Sequence, residues 1–151
     1  MTLQEMFERA ESARQRILDA AGKMDAASFV ERRPGVFSVR DLLAHLMDAE
    51  DFWIGSVILG GKHLKFTPER YSDATALKTD WDKVRERTRT VFATLSQELL
   101  GQTRIVRGET DVTFEVDRIL WHFLTHEIHH NAQACMLMRE RGFEPPVVDM
   151  L

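Results

Sequence analysis

The run His126-Glu127-Ile128-His129-His130 packs three imidazoles and a carboxylate into little more than one helical turn. On a helix, His126 and His130 lie one turn apart with their rings on the same side, a spacing at which two imidazoles can grip one divalent ion. The run also reads H-E-x-x-H, the zinc-protease signature, in which the glutamate is the general base and a third ligand lies downstream. Two metal chemistries are therefore open. Beyond His130 there is no further histidine, and Glu140, Glu144 and Asp149 have no supporting motif around them. The missing downstream ligand argues against an HExxH-type zinc peptidase.

With His122 set to zero and about 100° per residue, His126 falls at about 40°, His130 at about 80°, Gln133 at about 20° and His129 at about −20°. Ile119 and Leu137 at about 60°, Phe123 at about 100° and Ala134 at about 120° form an apolar stripe, and its centre is read as lying close to His126 and His130. Glu127, at about 140°, is placed at the stripe's margin in a solvated or inter-helix ion pair. Two core-facing imidazoles must each find partners for their ring nitrogens or suffer desolvation, and one metal ion satisfies both. Spacing alone leaves His122/His126 and His126/His129 as rival pairs.

A catalytic zinc site needs three protein ligands and an open position. His45 is the best third ligand: it is expected on the apolar stripe of an earlier helix between Leu42 and Ala49, the one histidine outside the last segment predicted to face the core. His63 stands alone and is read as hydrogen-bonded or solvent-facing. Gln133, one turn beyond His130, is suited to hydrogen-bond a bound ligand or cofactor or a group behind the metal ligands, and equally to serve as packing filler.

The elements that position these residues follow from apolar spacing. Leu3, Met6, Phe7, Ala10, Ile17 and Leu18 mark a first helix that stops near Gly22. A polar link through Arg32-Arg33-Pro34-Gly35 leads to Ser38, which with Asp41 forms a capping pattern that starts a second helix. That helix carries Leu42, His45, Leu46, Ala49, Phe52, Trp53 and Val57 on one face and ends at Gly60-Gly61. Lys62 to Tyr71, with Pro68, reads as a long loop. A third helix is predicted from about Ala74 to Leu100, with Leu77, Trp81, Val84, Thr88, Val91, Phe92 and Leu95 on its buried side. A short hairpin or extended connection fits Thr103 to Phe114, and a last helix runs from about Glu115 to Arg141, stopped by Gly142 and Pro145-Pro146. Four long amphipathic helices with long connections imply an all-α four-helix bundle.

With 151 residues, 44% hydrophobic and 29% charged, the chain has the profile of one soluble globular domain spanning 1–151. It has no apolar run long enough for a membrane helix and no basic, apolar leader at Met1-Thr2-Leu3-Gln4-Glu5, so a cytoplasmic protein with no membrane partner is expected. A net charge of −4 without a dense Lys/Arg patch argues against a nucleic-acid partner. Cys135 is the only cysteine, which excludes an intrachain disulfide and a cysteine-based zinc site, and it is read as a buried, inert thiol.

The segments Leu42-Leu43-Ala44-His45-Leu46-Met47-Asp48-Ala49-Glu50-Asp51-Phe52-Trp53 and Trp121-His122-Phe123-Leu124-Thr125-His126-Glu127-Ile128-His129-His130-Asn131-Ala132-Gln133, with the closing Arg141-Gly142-Phe143-Glu144-Pro145-Pro146, resemble the DinB/YfiT-like superfamily across nearly the whole chain. The resemblance implies a four-helix bundle with a metal held by three histidines, one from the second helix and two at four-residue spacing on the last. Carried over residue by residue, these are His45, His126 and His130. Family members often continue with Arg-Gly-Gln, where this chain has Asn131-Ala132-Gln133.

Three neutral imidazoles leave a divalent ion its full charge, which acidifies a bound water or thiol and suits hydrolysis or thiol transfer. Zinc or nickel is expected in an all-imidazole site. The resemblance adds that some relatives are thiol transferases or isomerases using a low-molecular-weight thiol, which makes a small molecule or thiol the expected partner. Relatives are commonly homodimers, and aromatic residues such as Trp53 and Trp81 offer apolar surface for such pairing. The alternative from another class is a metal-stabilised stress or binding protein in which the ion only ties the second helix to the last.

Overall fold

Thr2 starts the first helix with a capping box, its hydroxyl accepting from the Glu5 amide while the Glu5 carboxylate accepts from the Thr2 amide. A computed structural model describes residues 1–148; Asp149 lies outside the described residues. Helix α1 runs Leu3–Gly22. A short helix α2, Ala26–Val30, follows inside the stretch read as a polar link; the Asp25 carboxylate caps it by accepting from the Ser28 amide, and Phe29 anchors it in the core.

Helix α3, Val39–Glu50, begins where the capping pattern put it. The Ser38 hydroxyl accepts from the Asp41 amide at 3.0 Å, and the Asp41 carboxylate accepts from the Ser38 amide at 3.0 Å. Both residues are buried, so this cap closes orphan backbone groups that water does not reach. Ser38→Ala is expected to lower stability by about 1 kcal/mol, measured as a lower urea midpoint at unchanged slope. The chain then widens into a π-helical stretch, Asp51–Ile58, which ends at Gly60 with φ 73°.

Helix α4 spans Ala74–Ala93 and does not continue to Leu100 as expected. The Thr94 hydroxyl bonds back to the carbonyls of Thr90 and Val91, and Ser96 caps a separate helix α5, Gln97–Leu100. The same back-bond occurs at Thr79 and Thr90 inside α4 without ending it, so the stop at Thr94 goes with the Ser96 cap that starts the next helix. Strands β1 (Thr103–Val106) and β2 (Val112–Glu115) form the hairpin allowed by the sequence, paired antiparallel with Thr103 opposite Glu115. Helix α6, Val116–Glu140, is the last regular element among the described residues. Among the described residues no helix is long and apolar enough to cross a membrane.

The four long helices form a bundle in which α6 packs on α1 and α3, and α4 packs on the same two. Helices α1 and α3, although successive long helices, thus occupy opposite corners. The apolar core has two parts. One gathers Ile17, Leu43, Met47, Leu77, Trp81 and Met138; the other gathers Phe7, Ile54, Phe92, Ile119, Phe123 and Leu124.

Between the two parts lies a polar layer to which each long helix contributes: half-buried Glu11 and buried Arg14 from α1, Glu50 from α3, Arg85 and Thr88 from α4, Glu127 and Asn131 from α6. Arg85 sits at its centre, fully buried, with Nη2 donating to Glu127 Oε2 at 2.8 Å, Nε 2.9 Å from Glu50 and Nη1 3.3 Å from Glu11. The last two are close ion pairs without hydrogen-bond alignment, so Glu127 is the aligned partner. Glu50 also accepts from the Trp81 indole at 2.6 Å and from the Thr88 hydroxyl. Trp81 is consequently 1% exposed, buried over Arg14 and Arg85, and offers no surface for pairing with a second chain. Cys135 is half-buried rather than buried, and burial pushes its thiol pKa up, consistent with an inert group.

Candidate metal centre

The buried stripe of α6 runs through Ile119, Phe123, Glu127, Ala134 and Met138. On the helical wheel its centre is at about 125°, not near the histidines at about 40° and 80°. His126 and His130 are half-buried on the stripe's edge, and Glu127, placed by sequence at the margin, is 1% exposed at its centre. The same displacement holds on α3. Leu43, Met47, Glu50 and Ile54 point inward, His45 is exposed rather than core-facing, and Phe52, Trp53 and Val57 are half-buried. The histidines thus meet at the seam where α3 and α6 touch, open to solvent on one side.

At that seam the structure brings His45, His126 and His130 together, with one ring nitrogen from each within 4.8 Å of the others. His45 Nε2 and His126 Nε2 are 3.2 Å apart, and the ring centroids of His126 and His130 are 4.5 Å apart. A tetrahedral zinc ion with nitrogen ligands at about 2.05 Å holds those nitrogens about 3.3 Å from one another. The closest observed pair therefore already has the separation such an ion requires.

Two of the rings, those of His126 and His45, are also pushed toward the neutral form that a cation needs. Burial, followed by the neighbouring imidazoles of His130 and His45, lowers the His126 pKa to about 4, and burial with His130 lowers that of His45. Neutral rings present lone pairs; protonated ones do not. The Gln133 carbonyl accepts from His130 Nδ1 at 2.6 Å, which fixes the tautomer and leaves Nε2 free to ligate, while the Gln133 amide faces His129 Nε2 at 3.2 Å. Gln133 therefore orients a histidine of the cluster.

The other sequence candidates lie outside this three-nitrogen group, although the His129 ring is 5.0 Å from that of His130. His122 is exposed, with its ring 5.8 Å from that of His126 and edge-on to Trp53 at 5.1 Å. His129 is exposed and engaged by Gln133. His63 bonds the Asp48 carboxylate at 2.9 Å, the hydrogen-bonded state expected of a lone histidine. Asp48 and Asp51 then pin the following loop to α3 by accepting from the amides of Phe66 and Leu64, each at 2.7 Å. Sequence reading missed these two carboxylates; their signal was their position on the helix that carries His45.

Glu127 cannot serve as a peptidase base at this cluster, because its carboxylate is bonded to Arg85 inside the bundle. Burial raises its pKa despite that partner, since Arg85 shares one positive charge among three carboxylates. Asn131 is likewise turned inward and buried.

The DinB family pattern matches residues 1–151. The chain is 30% identical to the protein YizA of Bacillus subtilis over 114 residues, 76% of this chain and 71% of YizA. A DinB-like protein of Bacillus cereus has a similar structure, with a TM-score of 0.73 at 19% identity, covering 93% of this chain and 91% of the other. So does YfiT of Bacillus subtilis, described as a probable metal-dependent hydrolase with an unusual four-helix bundle topology, with a TM-score of 0.71 at 15% identity and coverage of 94% and 89%. The sequence match over its full length and the bundle it folds into agree: the chain belongs to the DinB family.

Proposed function

We propose that the protein holds one divalent metal ion, zinc or nickel, between His45, His126 and His130 and uses it to act on a small molecule, by hydrolysis or by transfer to a low-molecular-weight thiol. The observation that carries this reading is the convergence of three imidazoles from two helices, two of their nitrogens 3.2 Å apart, at an open seam. When bound there, the ion supplies Lewis acidity, since three neutral ligands leave its double charge uncompensated.

The chain's own residues do the positioning. Gln133 holds the His130 ring by its Nδ1, which leaves Nε2 as the nitrogen to ligate the ion. The capped start of α3 and the Arg85 layer hold the two histidine-bearing helices in register, and burial keeps His126 unprotonated at neutral pH. The description of YfiT as a probable metal-dependent hydrolase favours hydrolysis of the two reactions. A purely structural ion is the other reading, and an exchangeable coordination position separates the two.

Elemental analysis of the dialysed protein is expected to give about one equivalent of metal per chain, as the three-histidine cluster implies. Failure to retain metal above the buffer level would remove the basis of the proposal. In the cobalt-substituted form, a sulfur-to-metal charge-transfer band on adding a small thiol would identify thiol transfer. Metal-dependent cleavage of an ester or amide panel without such a band would identify hydrolysis. A spectrum inert to every added ligand would leave the structural role. The same reading takes the protein as a homodimer, which light scattering would check.

A further inference from the structure

His45 and His130 form part of the wall of a cavity of about 630 Å³, within the range that encloses a drug-sized molecule. A second cavity of about 420 Å³ adjoins it and shares Val36, Phe37, Leu42 and His130. The two make one groove that passes the histidine cluster. Its walls are apolar, with Val36, Phe37, Leu42 and Phe66 in the larger part and Met136 and Leu137 in the smaller.

The charged groups of the larger part are already committed within the protein. Arg32 is paired with Asp41 at 2.6 Å and with Glu69 at 2.8 Å, Arg33 with Glu31 at 3.3 Å, and Asp48 with His63 at 2.9 Å. Glu31 also pairs with Arg141 at 3.1 Å, so these groups tie the wall to its surroundings, and Glu140 borders the smaller part. Three large apolar side chains nevertheless face solvent here: Phe37 is 67% exposed, Met136 60% and Val36 40%. The segment that presents two of them is closed into a tight turn. Arg33 and Val36 exchange backbone bonds of 3.3 and 2.9 Å around Pro34 and Gly35, with Gly35 at φ 71° as a tight turn requires. A ligand covering this turn would gain apolar burial without first having to order it.

We propose that the substrate of this site is a small molecule with an uncharged aryl or alkyl body, which lies along Phe37, Val36 and Met136 and brings its reacting head group to His45 and His130. The proposal rests on the metal reading above. It extends that reading by naming the part of the substrate that does not react.

Calorimetry with a homologous series from acetohydroxamate to octanohydroxamate on the zinc-loaded protein tests it, because the head group reports the metal and the tail reports the groove. Affinity is expected to rise about threefold per methylene over the longer members, somewhat below the value for full burial of each methylene. Phe37→Ser and Met136→Ser are expected to flatten that rise while leaving acetohydroxamate affinity unchanged. Ile105→Ser, an exposed apolar residue on the hairpin, should change neither. Equal affinities along the series, with acetohydroxamate still bound, would overturn the apolar groove and leave the metal site standing. A protein that neither loads zinc nor binds any hydroxamate would overturn both. If Phe37→Ser changes the mass in solution and not the series, the patch is a contact between chains and the proposal is wrong.

Discussion

Arg85→Met is expected to lower folding stability by about 3–5 kcal/mol, the range for breaking a buried ion pair by removing one partner. Methionine fills much of the same volume, so the loss is electrostatic more than a matter of packing. Without the guanidinium, the Glu50 and Glu127 carboxyls lose the cation they share inside the bundle, where each is 1% exposed or less. Trp81 and Thr88 still donate to Glu50, whereas Glu127 loses its aligned donor. Burial already raises the Glu127 pKa in the wild type, and the variant raises it further. A carboxyl whose folded pKa exceeds its unfolded value binds more protons folded than unfolded between the two, so stability falls as pH rises through that window. The deficit of Arg85→Met should therefore widen from pH 5 to pH 8, and adding Glu127→Gln should recover part of it. Urea titrations at the two pH values measure this; a loss under about 1 kcal/mol would mean that the layer is not held by charge.

That buried layer also explains which parts of the fold were legible in the sequence. Helix existence and the strongest boundaries were readable, because Ser38 with Asp41, Gly60 and Gly142 are local signals whose chemistry acts within a few residues. The histidine set was readable from four-residue spacing and from the family resemblance. The apolar members of the faces were read correctly, Leu42 and Leu46 on α3 and Ile119, Phe123, Ala134 and Leu137 on α6 being buried, but the centre of the stripe was set too near the histidines on both helices. A pattern reading assigns charged residues to solvent, which turned the perceived stripe away from Glu50, Asp51 and Glu127 and toward the histidines. In the fold, partners on other helices bury these carboxylates: Arg85 takes Glu50 and Glu127, and Arg87 takes Asp51. No local spacing announces a partner more than thirty positions away. The break at Thr94 and the helix at Ala26–Val30 were missed for a different reason, since single side-chain caps such as Ser96 and Asp25 carry little weight against an apolar run. The correction relocates the site from the interior to an open seam, where a small molecule can reach it.

His126→Ala is expected to weaken zinc affinity by more than about a hundredfold, since even outer partners of a ligating histidine are worth about 10–100-fold. His45→Ala and His130→Ala should match it. His122→Ala and His129→Ala should leave affinity within about threefold, their rings standing outside the cluster. Gln133→Ala, which releases the His130 ring from its tautomer, should cost about tenfold. The pH dependence follows from the burial of His126. Its pKa is lowered to about 4 from an unperturbed 6.5, so between those values the unfolded chain binds the proton and the folded one does not. The stability of the metal-free protein should then fall as pH drops from about 6.5 to about 4, by on the order of 1 kcal/mol once the ring's half exposure is discounted. His126→Ala should abolish most of that slope. The same depressed pKa keeps the ring available to metal in mildly acidic solution, where an ordinary histidine would be protonated. Zinc titrations of the variants with a competing chelator, and thermal melts of the metal-free protein across that range, read the two effects separately. If His122→Ala or His129→Ala loses the metal while His126→Ala retains it, the cluster formed at the seam of α3 and α6 is not the metal centre.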